Sequence, residues 1–506
     1  MRATIHINPV RIEGTISPLL YGGGFENLAG AVDSGLWVGK NNDSAQSTWL
    51  GHGCRTDLME RIIDLKPGFI RWPGGWVSER YRWKDGIGDP AKRPERTIYY
   101  SPVKYKEHPC VDSNQFGTDE FIQFCKDIGA EPMLVINCFG PENNVGQELL
   151  LEEAVQWLEY CNGDRNTEFG NLRSRNGNPE PYNVKFWEIG NEAWSNIDVR
   201  EYIRRYIPFA KTLKEKDPSI KLIATGYKSE WNTTLLSEAG SYMDYIALHE
   251  YPSCDYSGAM TIPLLWEDRL IKLKKTIKEL PRGRGSDIKV SFNEWNSNTN
   301  WKNSSTLKEG LYGAALLNVF ERQSDFVEHA GAWPLLRRVQ PKDSPATDHG
   351  LIFFDDDHNF VTPVYLVSRM YRDHFAPERV ACEVECDSFD SKINSDTPGL
   401  DAVTNVARSV PVLDAVATVD GKNNRLVLKV VNKSEHESVA TEIHISGKIH
   451  PEAKISTLNG DSISRRNSID EPENVYVQRE KLSDISSSFV FTYPPHSVTI
   501  IEMQTA

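Results

Sequence analysis

The sequence predicts an α/β protein in which a (β/α)8 TIM barrel precedes a C-terminal antiparallel β-sandwich of jelly-roll type. Three observations support this fold class: the chain length, a repeated alternation of apolar runs with helical patterns, and a change in the pattern of apolar and polar residues after about residue 375. The chain has 506 residues, well beyond the ~250 to 300 at which one hydrophobic core usually stops growing. We therefore expect two domains.

Short apolar runs alternate with longer helical patterns between residues 20 and 370, as repeated βα units do. Helical spacing of apolar residues is clearest over 117–130 and 150–163. Eight runs are candidate barrel strands: 19–26, 67–72, 132–138, 184–192, 221–226, 244–251, 288–295 and 329–335. Eight such repeats fit a (β/α)8 barrel with enlarged loops, which we place at residues 18–374.

After about residue 375 apolar and polar residues alternate with a period of two, as in NRLVLKVVNKS and SFVFTYPPHSVTIIEM. This texture predicts antiparallel strands. The opening ATIHINPVRIEGTIS has the same texture, so we expect it to join the C-terminal sheet. The second domain then comprises residues 1–17 and 375–506. The polar stretches 387–401 and 460–488 predict long surface loops.

The composition argues against several classes of function. The net charge is −14 and the 57 basic residues are scattered, so nucleic acid is not an expected partner. No run approaches the ~18 apolar residues of a membrane span, and the first residues lack a signal-peptide pattern, so we expect a cytoplasmic protein without membrane association. No CxxC, HExxH or Walker-type sequence occurs, and no metal or organic cofactor is predicted.

Two glutamates close predicted barrel strands: Glu192 ends WEIGNE, and Glu294 lies at the end of VSFNEW. The active site of a (β/α)8 barrel lies at the C-terminal ends of its strands. A facing pair of carboxylates is the machinery of glycoside hydrolysis. Any one of the 71 acidic residues is ordinarily solvated surface, but two at strand ends, each after an asparagine, favour catalysis.

Several segments together resemble glycoside hydrolase family 51, the α-L-arabinofuranosidases, over nearly the whole chain. They are GLWVG (35–39), FIRWPGGWVSERYRWKDGIGD (69–89), GTDEF (117–121), IGAEP (128–132), WEIGNE (187–192), VSFNEWN (290–296) and FTYPPHSVTIIEM (491–503). The resemblance implies a barrel with a β-sandwich and hydrolysis with retention of configuration. It also implies a possible homo-oligomer, since members of the family are often hexamers.

On this resemblance Glu192 is the general acid/base and Glu294 the nucleophile. Retaining hydrolysis needs carboxyl groups ~5 to 5.5 Å apart, one to attack the anomeric carbon and one to protonate the leaving oxygen and then activate water. The resemblance further implies that Arg71 keeps the nucleophile ionised, that Asn191 bonds the sugar 2-hydroxyl and that Glu26 bonds other sugar hydroxyls.

Position adds further candidates for substrate binding. His249 and Tyr251 close the sixth strand, where the tyrosine hydroxyl can orient the nucleophile; a buried histidine with satisfied hydrogen bonds is the structural alternative. Tryptophans at or beside strand ends can stack on sugar rings or belong to the core. They are Trp72, Trp76, Trp295, Trp301 and Trp333.

Two departures from the family pattern concern the sugar pocket. Many members have a small residue after the double glycine, where this chain has Trp76, so the pocket would be reshaped. Many have an aromatic residue where this chain has Asn298, for which Trp301 would compensate. Gly74 and Gly75 predict a backbone turn that no Cβ would permit.

The sequence therefore favours an exo-acting α-L-arabinofuranosidase that releases arabinofuranosyl residues from arabino- or arabinoxylo-oligosaccharides by double displacement. The alternatives are an endo-β-1,4-glucanase or xylanase of the same family, a β-D-galactofuranosidase, and a carbohydrate-binding protein without turnover. A closed pocket would favour exo action, and an open cleft would favour endo action.

Overall fold

The computed structural model describes residues 1–28, 30–40, 48–98, 110–139, 146–280, 287–297, 306–339, 349–395, 399–401 and 403–505. Their strands are β1 (Arg2–Thr15), β2 (Tyr21–Gly24), β3 (Phe69–Trp72), β4 (Arg96–Ile98), β5 (Cys110–Asp112), β6 (Glu131–Ile136), β7 (Phe186–Ile189), β8 (Lys221–Thr225), β9 (Tyr245–Glu250), β10 (Lys289–Trp295), β11 (Val327–Ala332), β12 (Leu336–Arg338), β13 (Ile352–Phe354), β14 (Asn359–Val361), β15 (Glu378–Cys386), β16 (Ser388–Ser395), β17 (Val403–Pro411), β18 (Leu413–Asp420), β19 (Arg425–Asn432), β20 (Val439–Ile445), β21 (Ile449–Leu458), β22 (Val477–Leu482), β23 (Ser488–Tyr493) and β24 (Ser497–Thr505). Their α-helices are α1 (Thr56–Leu65), α2 (Thr118–Ile128), α3 (Gln147–Asn162), α4 (Glu168–Arg175), α5 (Val199–Lys216), α6 (Ser229–Ala239), α7 (Tyr256–Lys278), α8 (Leu307–Arg322) and α9 (Pro363–Asp373).

Eight parallel strands close into a barrel in the order β2, β3, β6, β7, β8, β9, β10, β11. Each overlaps one of the eight predicted strands, so the predicted barrel is confirmed. A compact apolar cluster fills the barrel interior, and it contains Phe69, Met133, Phe186, Ile223, Tyr245 and Ala247. Because none of these residues lies beyond the middle of its strand, the polar side chains of the site occupy the C-terminal ends.

The helix after β7 fixes the end of the strand that leads to Glu192. Helix α5 begins after Asp198, whose carboxylate accepts hydrogen bonds from the first backbone N–H groups of the helix. The Tyr202 hydroxyl of α5 donates to the carbonyl of Ile189 and accepts from the N–H of Thr225, both at 2.8 Å. These two bonds join α5 to the C-terminal ends of β7 and β8.

The C-terminal sheet has nine strands in the order β22, β21, β24, β19, β18, β15, β1, β20, β23. Its strands pair antiparallel except for β1 and β20, which are parallel. The first strand of the chain thus lies in the C-terminal sheet, whose inner side chains form an apolar core of their own. The predicted combination of a barrel with an antiparallel C-terminal domain is confirmed.

The segment 387–401 differs from the prediction of a surface loop. Strands β16 and β17 pair antiparallel as a hairpin, and Ser391 Oγ lies 2.8 Å from the hydroxyls of Ser257 and Thr261 on α7. The polar composition concealed these strands, which pair only with each other. Besides the hydroxyl contacts, the side chain of Ile393 is buried in the large apolar core cluster. The segment 460–488 likewise contains a strand, β22, with mostly exposed side chains.

The two domains share a polar interface along α8. Glu321 of α8 and Lys429 of β19 form an ion pair whose side chains are fully buried, and the Tyr21 hydroxyl also donates to Glu321. Nη1 of the next residue, Arg322, lies 2.7 Å from Asp414 of β18. Buried charges are tolerated when they are paired. Each of these ion pairs takes one partner from each domain, so separating the domains would leave the charges without partners.

Among the helices within the described ranges, none has the length and apolar composition that a membrane span requires.

Candidate active site

The C-terminal ends of the barrel strands surround a cavity of about 200 Å³. Seven of the candidate binding or catalytic residues from the sequence line it: Glu26, Trp76, Asn191, Glu192, Tyr251, Glu294 and Trp333. Polar groups from different strands therefore converge where the fold places the active site of a (β/α)8 barrel.

Glu192 and Glu294 face each other across this cavity. Their nearest carboxylate oxygens lie within 4.8 Å of each other and of a ring nitrogen of His249. Retaining glycosidases keep their carboxyl groups ~5 to 5.5 Å apart, whereas inverting enzymes separate them by ~6.5 to 9.5 Å to admit a water molecule. The separation here suits direct attack by one carboxylate.

The backbone at Glu192 is left-handed. Gly190 has φ +80°, and Glu192 itself has φ 42° and ψ 43°, a region that costs a residue with a Cβ of order 1 kcal/mol or more. A short 3-10 helix begins directly afterwards at Ala193. This turn ends β7 and directs the carboxylate into the cavity.

An irregularity in β10 brings two consecutive side chains to the site. The register with β9 shifts between Ser291 and Glu294, and such bulges redirect side chains beside active sites. Asn293 donates to Glu188 at 2.7 Å, while Glu294 contacts Arg71 and Tyr251. Without the shift, neighbouring residues of a strand would point to opposite faces.

Arg71 is the charged centre beneath the cavity, and its side chain is fully buried. Its Nη1 donates to Glu294 Oε1 at 2.6 Å, its Nε to Glu188 Oε2 at 2.6 Å and its Nη2 to Asn191 Oδ1 at 2.7 Å. Burial alone would lower the pKa of Arg71, but the carboxylates of Glu188 and Glu294 outweigh burial and raise it. Arg71 therefore stays charged beside the predicted nucleophile.

Tyr251 completes the hydrogen bonding of Glu294. Its hydroxyl donates to Glu294 Oε2 at 2.6 Å. Burial and the adjacent carboxylate raise the pKa of Tyr251 well above its usual value, so the hydroxyl keeps its proton. Each oxygen of Glu294 thus has one donor, as the position of Tyr251 predicted.

His249 links the two carboxylates to Asn293. Its Nδ1 lies 3.0 Å from Glu192 Oε1, and its Nε2 lies 3.0 Å from Asn293 Oδ1. Because the Asn293 amide nitrogen donates to Glu188, Oδ1 accepts and Nε2 carries a hydrogen. Burial lowers the pKa of His249, but Glu294 and Glu192 together raise it. Both ring nitrogens of His249 have a partner, and one of these partners is the predicted acid/base.

Two further buried carboxyls lie near the pair. Burial raises the pKa of Glu26 to about 7, although the Val77 N–H donates to it at 3.1 Å. Burial also raises the pKa of Glu79 to about 8. The charge of Arg80 lowers this pKa, and the charge of Glu192 adds a smaller rise.

The turn at Gly74 beside Glu26 requires a glycine. Gly74 has a φ of +101°, and a Cβ at this position would lie 2.6 Å from Glu26 Cβ.

The tryptophans at strand ends divide between the cavity and the core. Trp76 and Trp333 line the cavity. Trp72 stacks on Phe121 with ring centroids 5.0 Å apart, and Trp295 is buried against α8, where a Cβ on Gly313 would lie 3.1 Å from its ring. Trp72 and Trp295 are therefore core residues. Trp301 and Asn298 lie outside the described residues.

Sequence reasoning missed several residues of the site. Glu188 and Asn293 lie beneath the cavity, and Trp194, Arg337 and His349 line it. The signal for Glu188 was available, since a charged residue inside the apolar run FWEI needs a buried partner. The register shift that admits Asn293 has no comparable sequence signal.

Within the described ranges, one group of His, Cys, Asp or Glu side chains has donor atoms close enough to hold a metal ion: Glu192, His249 and Glu294. Two of these three groups are the carboxylates that two-carboxylate hydrolysis requires. Independence from metals therefore stays a prediction.

Comparisons with known proteins agree with the family resemblance found in the sequence. Residues 61–260 match the model of the alpha-L-arabinofuranosidase 1 domain, and residues 292–497 match that of the alpha-L-arabinofuranosidase C-terminal domain. The GH51 alpha-L-arabinofuranosidase of Thermotoga petrophila RKU-1 is 30% identical, with 99% of each chain covered and a TM-score of 0.86. The chain belongs to glycoside hydrolase family 51.

Two other relatives extend this result. The alpha-L-arabinofuranosidase of Thermotoga maritima, solved as an arabinose complex, is 31% identical over 99% of this chain and 100% of that one, with a TM-score of 0.85. An intracellular exo-alpha-L-arabinofuranosidase of Bacteroides ovatus is 25% identical over 99% of this chain and 96% of its own length. The predicted family and the prediction of a glycoside hydrolase are confirmed; the roles of individual site residues stay predictions.

Proposed function

We propose that this family 51 hydrolase is an exo-acting α-L-arabinofuranosidase that removes terminal arabinofuranosyl residues from arabino- or arabinoxylo-oligosaccharides with retention. The observation that carries the proposal is the carboxylate pair of Glu192 and Glu294, with oxygens within 4.8 Å of each other at the barrel mouth. The names of the relatives support the choice of arabinofuranoside.

In the first step Glu294 attacks the anomeric carbon while Glu192 gives its proton to the glycosidic oxygen. The C–O bond to the leaving group breaks, and a glycosyl-enzyme ester forms on Glu294. Arg71 and Tyr251 each donate to one oxygen of Glu294, so the attacking carboxylate is fixed in position. Charge-assisted bonds of this kind are about twice as strong as neutral ones.

In the second step the deprotonated Glu192 removes a proton from water, and the water oxygen attacks the anomeric carbon. The ester bond to Glu294 breaks, and the sugar leaves with its original configuration. Glu192 keeps this proton for the next leaving group, and Nδ1 of His249, 3.0 Å from Glu192 Oε1, holds the carboxylate in position. Asn293 fixes the orientation of the ring through Nε2.

The size of the cavity supports exo action. Pockets for drug-sized ligands have volumes of ~300 to 1,000 Å³, and the 200 Å³ measured here suit a single sugar ring. Trp76 and Trp333 are among the residues that line it. An endo-acting glucanase or xylanase would need an open cleft with room for several rings. Cytoplasmic location, uptake of oligosaccharides, a homo-oligomer and independence from cofactors stay predictions.

The test is turnover of matched aryl glycosides by the wild type, Glu192→Ala and Glu294→Ala, with Glu452→Ala as an exposed control. We expect α-L-arabinofuranoside to be cleaved faster than β-D-galactofuranoside, β-D-xyloside or β-D-glucoside. Glu294→Ala should lose at least about a thousandfold in kcat, or about 4 kcal/mol.

Azide distinguishes the two roles. It should rescue Glu294→Ala with an inverted glycosyl azide and Glu192→Ala with a retained one, because only the latter passes through the glycosyl-enzyme. Rescue with the opposite configurations would exchange the two roles. Cleavage of xylan or β-glucan without cleavage of arabinofuranosides would replace the exo proposal with the endo alternative.

A further inference from the structure

The β16–β17 hairpin of the C-terminal domain reaches the barrel at the end of β9. Each described residue of its tip, Gly399, Leu400 and Asp401, makes a contact there. Arg269 of α7 donates to the carbonyl of Gly399, and Leu400 is buried in the large apolar core cluster. Asp401 accepts from the N–H of Ser229 at 2.9 Å and from the Ser229 hydroxyl. The hairpin is therefore docked on the barrel by three consecutive residues.

Gly399 lies so close to the end of β9 that only a glycine fits. A Cβ at this position would lie 2.5 Å from Glu250 Oε2 and closer still to the carbonyl oxygen of His249. It would also lie 2.7 Å from the ring of Trp266 on α7. All three neighbours are buried, and close-packed groups cannot move aside without straining those around them. The hairpin tip thus supports the last two residues of β9.

One arginine holds the hairpin tip in this position. Arg269 is 8% exposed, and its guanidinium carbon lies 4.8 Å from the centre of the Trp266 ring. Burial lowers the pKa of Arg269, while the acidic groups of Asp401 on the hairpin and Glu250 on β9 raise it to a smaller extent. Arg269 therefore joins the hairpin to β9 by its charge as well as by its hydrogen bond to Gly399.

The residue that follows β9 is Tyr251, whose hydroxyl donates to Glu294 Oε2 at 2.6 Å. His249 and Glu250 pair with Glu294 and Trp295 of β10 in the sheet, whereas Tyr251 lies one residue beyond the end of β9. The orientation of Tyr251 therefore follows that of Glu250. The backbone of Glu250 is held by β10, and its carboxyl group is contacted by the hairpin tip.

We propose that the β16–β17 hairpin is a positioning element of the active site, whose tip holds the end of β9 so that Tyr251 meets the nucleophile. This inference rests on the proposed function. Tyr251 fixes the carboxylate of Glu294 only while its hydroxyl is within hydrogen-bond reach, and a misplacement of about 1 Å costs a large part of the rate. None of the described hairpin residues lines the cavity, so the hairpin acts on the attack step and not on substrate binding.

The experiment is a double-mutant cycle between Gly399 and Tyr251, with kcat and KM measured on an aryl α-L-arabinofuranoside. Gly399→Ala should lower kcat about tenfold and change KM by less than about twofold. Tyr251→Phe removes the hydroxyl and should itself lower kcat about tenfold or more. In the Tyr251→Phe background, Gly399→Ala should lower kcat by less than about twofold, because the contact that it disturbs is already gone. Gly421→Ala changes a glycine of the same domain with no atom within 4 Å of the added Cβ, and it should leave kcat unchanged.

A second variant keeps the test decisive if Gly399→Ala does not fold, which circular dichroism checks. Asp401→Ala removes the two bonds to Ser229 from an exposed side chain. It should lower kcat about threefold in the wild type and leave it unchanged in Tyr251→Phe.

The outcomes separate this inference from the proposed function. An equal fall of kcat in both backgrounds would overturn the inference, because a hairpin that only stabilises the fold acts independently of Tyr251. An unchanged kcat in folded Gly399→Ala would overturn it as well. If the wild type cleaves another aryl glycoside in place of the arabinofuranoside, the proposed function fails, and the same cycle on that substrate still decides this inference. A wild type that cleaves no glycoside would overturn both.

Discussion

Replacing Glu79 with glutamine should remove a pH-dependent loss of stability. Glu79 is 3% exposed, and the Asn196 amide lies 3.3 Å from each of its oxygens. Burial raises its pKa from 4.5 to about 8. Since the folded state holds this proton more tightly than the unfolded state, the stabilisation is complete below pH 4.5 and is lost as the pH rises to about 8.

The magnitude follows from the shift. A rise of about 3.5 pKa units at 1.36 kcal/mol per unit gives an upper limit of about 5 kcal/mol. Glutamine keeps the shape and cannot ionise, so the variant should lack this loss. Relative to wild type, Glu79→Gln should therefore gain a few kcal/mol between pH 5 and pH 9.

Urea unfolding at pH 5, 7 and 9, followed by tryptophan fluorescence, measures the difference. Other buried carboxyls such as Glu250, whose pKa burial raises to about 8, titrate in both proteins and cancel in the comparison. Glu452→Gln removes one exposed charge and serves as the control. A stability difference between Glu79→Gln and wild type that is the same at all three pH values would refute the reasoning.

Two further predictions concern the interface and the turn beside the cavity. Lys429→Met leaves the buried carboxylate of Glu321 without its cation, so the free energy of unfolding should fall by about 3 to 5 kcal/mol. Urea unfolding measures this fall. The double variant Lys429→Met with Glu321→Gln should regain part of the lost stability. Gly74→Ala places a Cβ 2.6 Å from Glu26 Cβ and should lower kcat/KM about tenfold or more. Gly129→Ala has a similar positive φ but no atom within 4 Å of the added Cβ, so its activity should not fall.

The barrel and the position of the two facing carboxylates could be predicted because both leave local signals. Each strand is a short apolar run, and a polar residue that ends such a run, as Glu192 does, is placed at the barrel mouth by the fold itself. The hairpin at 388–411 could not be predicted because its polar strands pair only with each other. Trp194 was missed because the turn after Glu192, which brings it to the cavity, depends on a left-handed residue that no composition rule indicates.

The network beneath the cavity was beyond sequence reasoning for a different reason. Arg71 was predicted as a partner of the nucleophile. Its bond to Glu188 could not be predicted, because Arg71 lies on β3 and Glu188 on β7, and β6 lies between these two strands in the closed barrel. Asn293 enters this network through the register shift in β10. Such contacts follow from the closure of the barrel, so they become visible only with the fold.

The environments of the two carboxylates support the roles assigned to them. Glu294 is buried, and both of its oxygens accept charged or phenolic donors, so it is fixed and stripped of water, as a nucleophile must be to attack one carbon atom. The Glu192 side chain is more exposed than that of Glu294, and it contacts His249 but neither Arg71 nor Tyr251 in the hydrogen bonds described above. Glu192 can therefore reach the leaving oxygen first and a water molecule afterwards. Two glutamates with the same chemistry thus differ in freedom and hydration, and this difference suits one to covalent attack and the other to proton transfer.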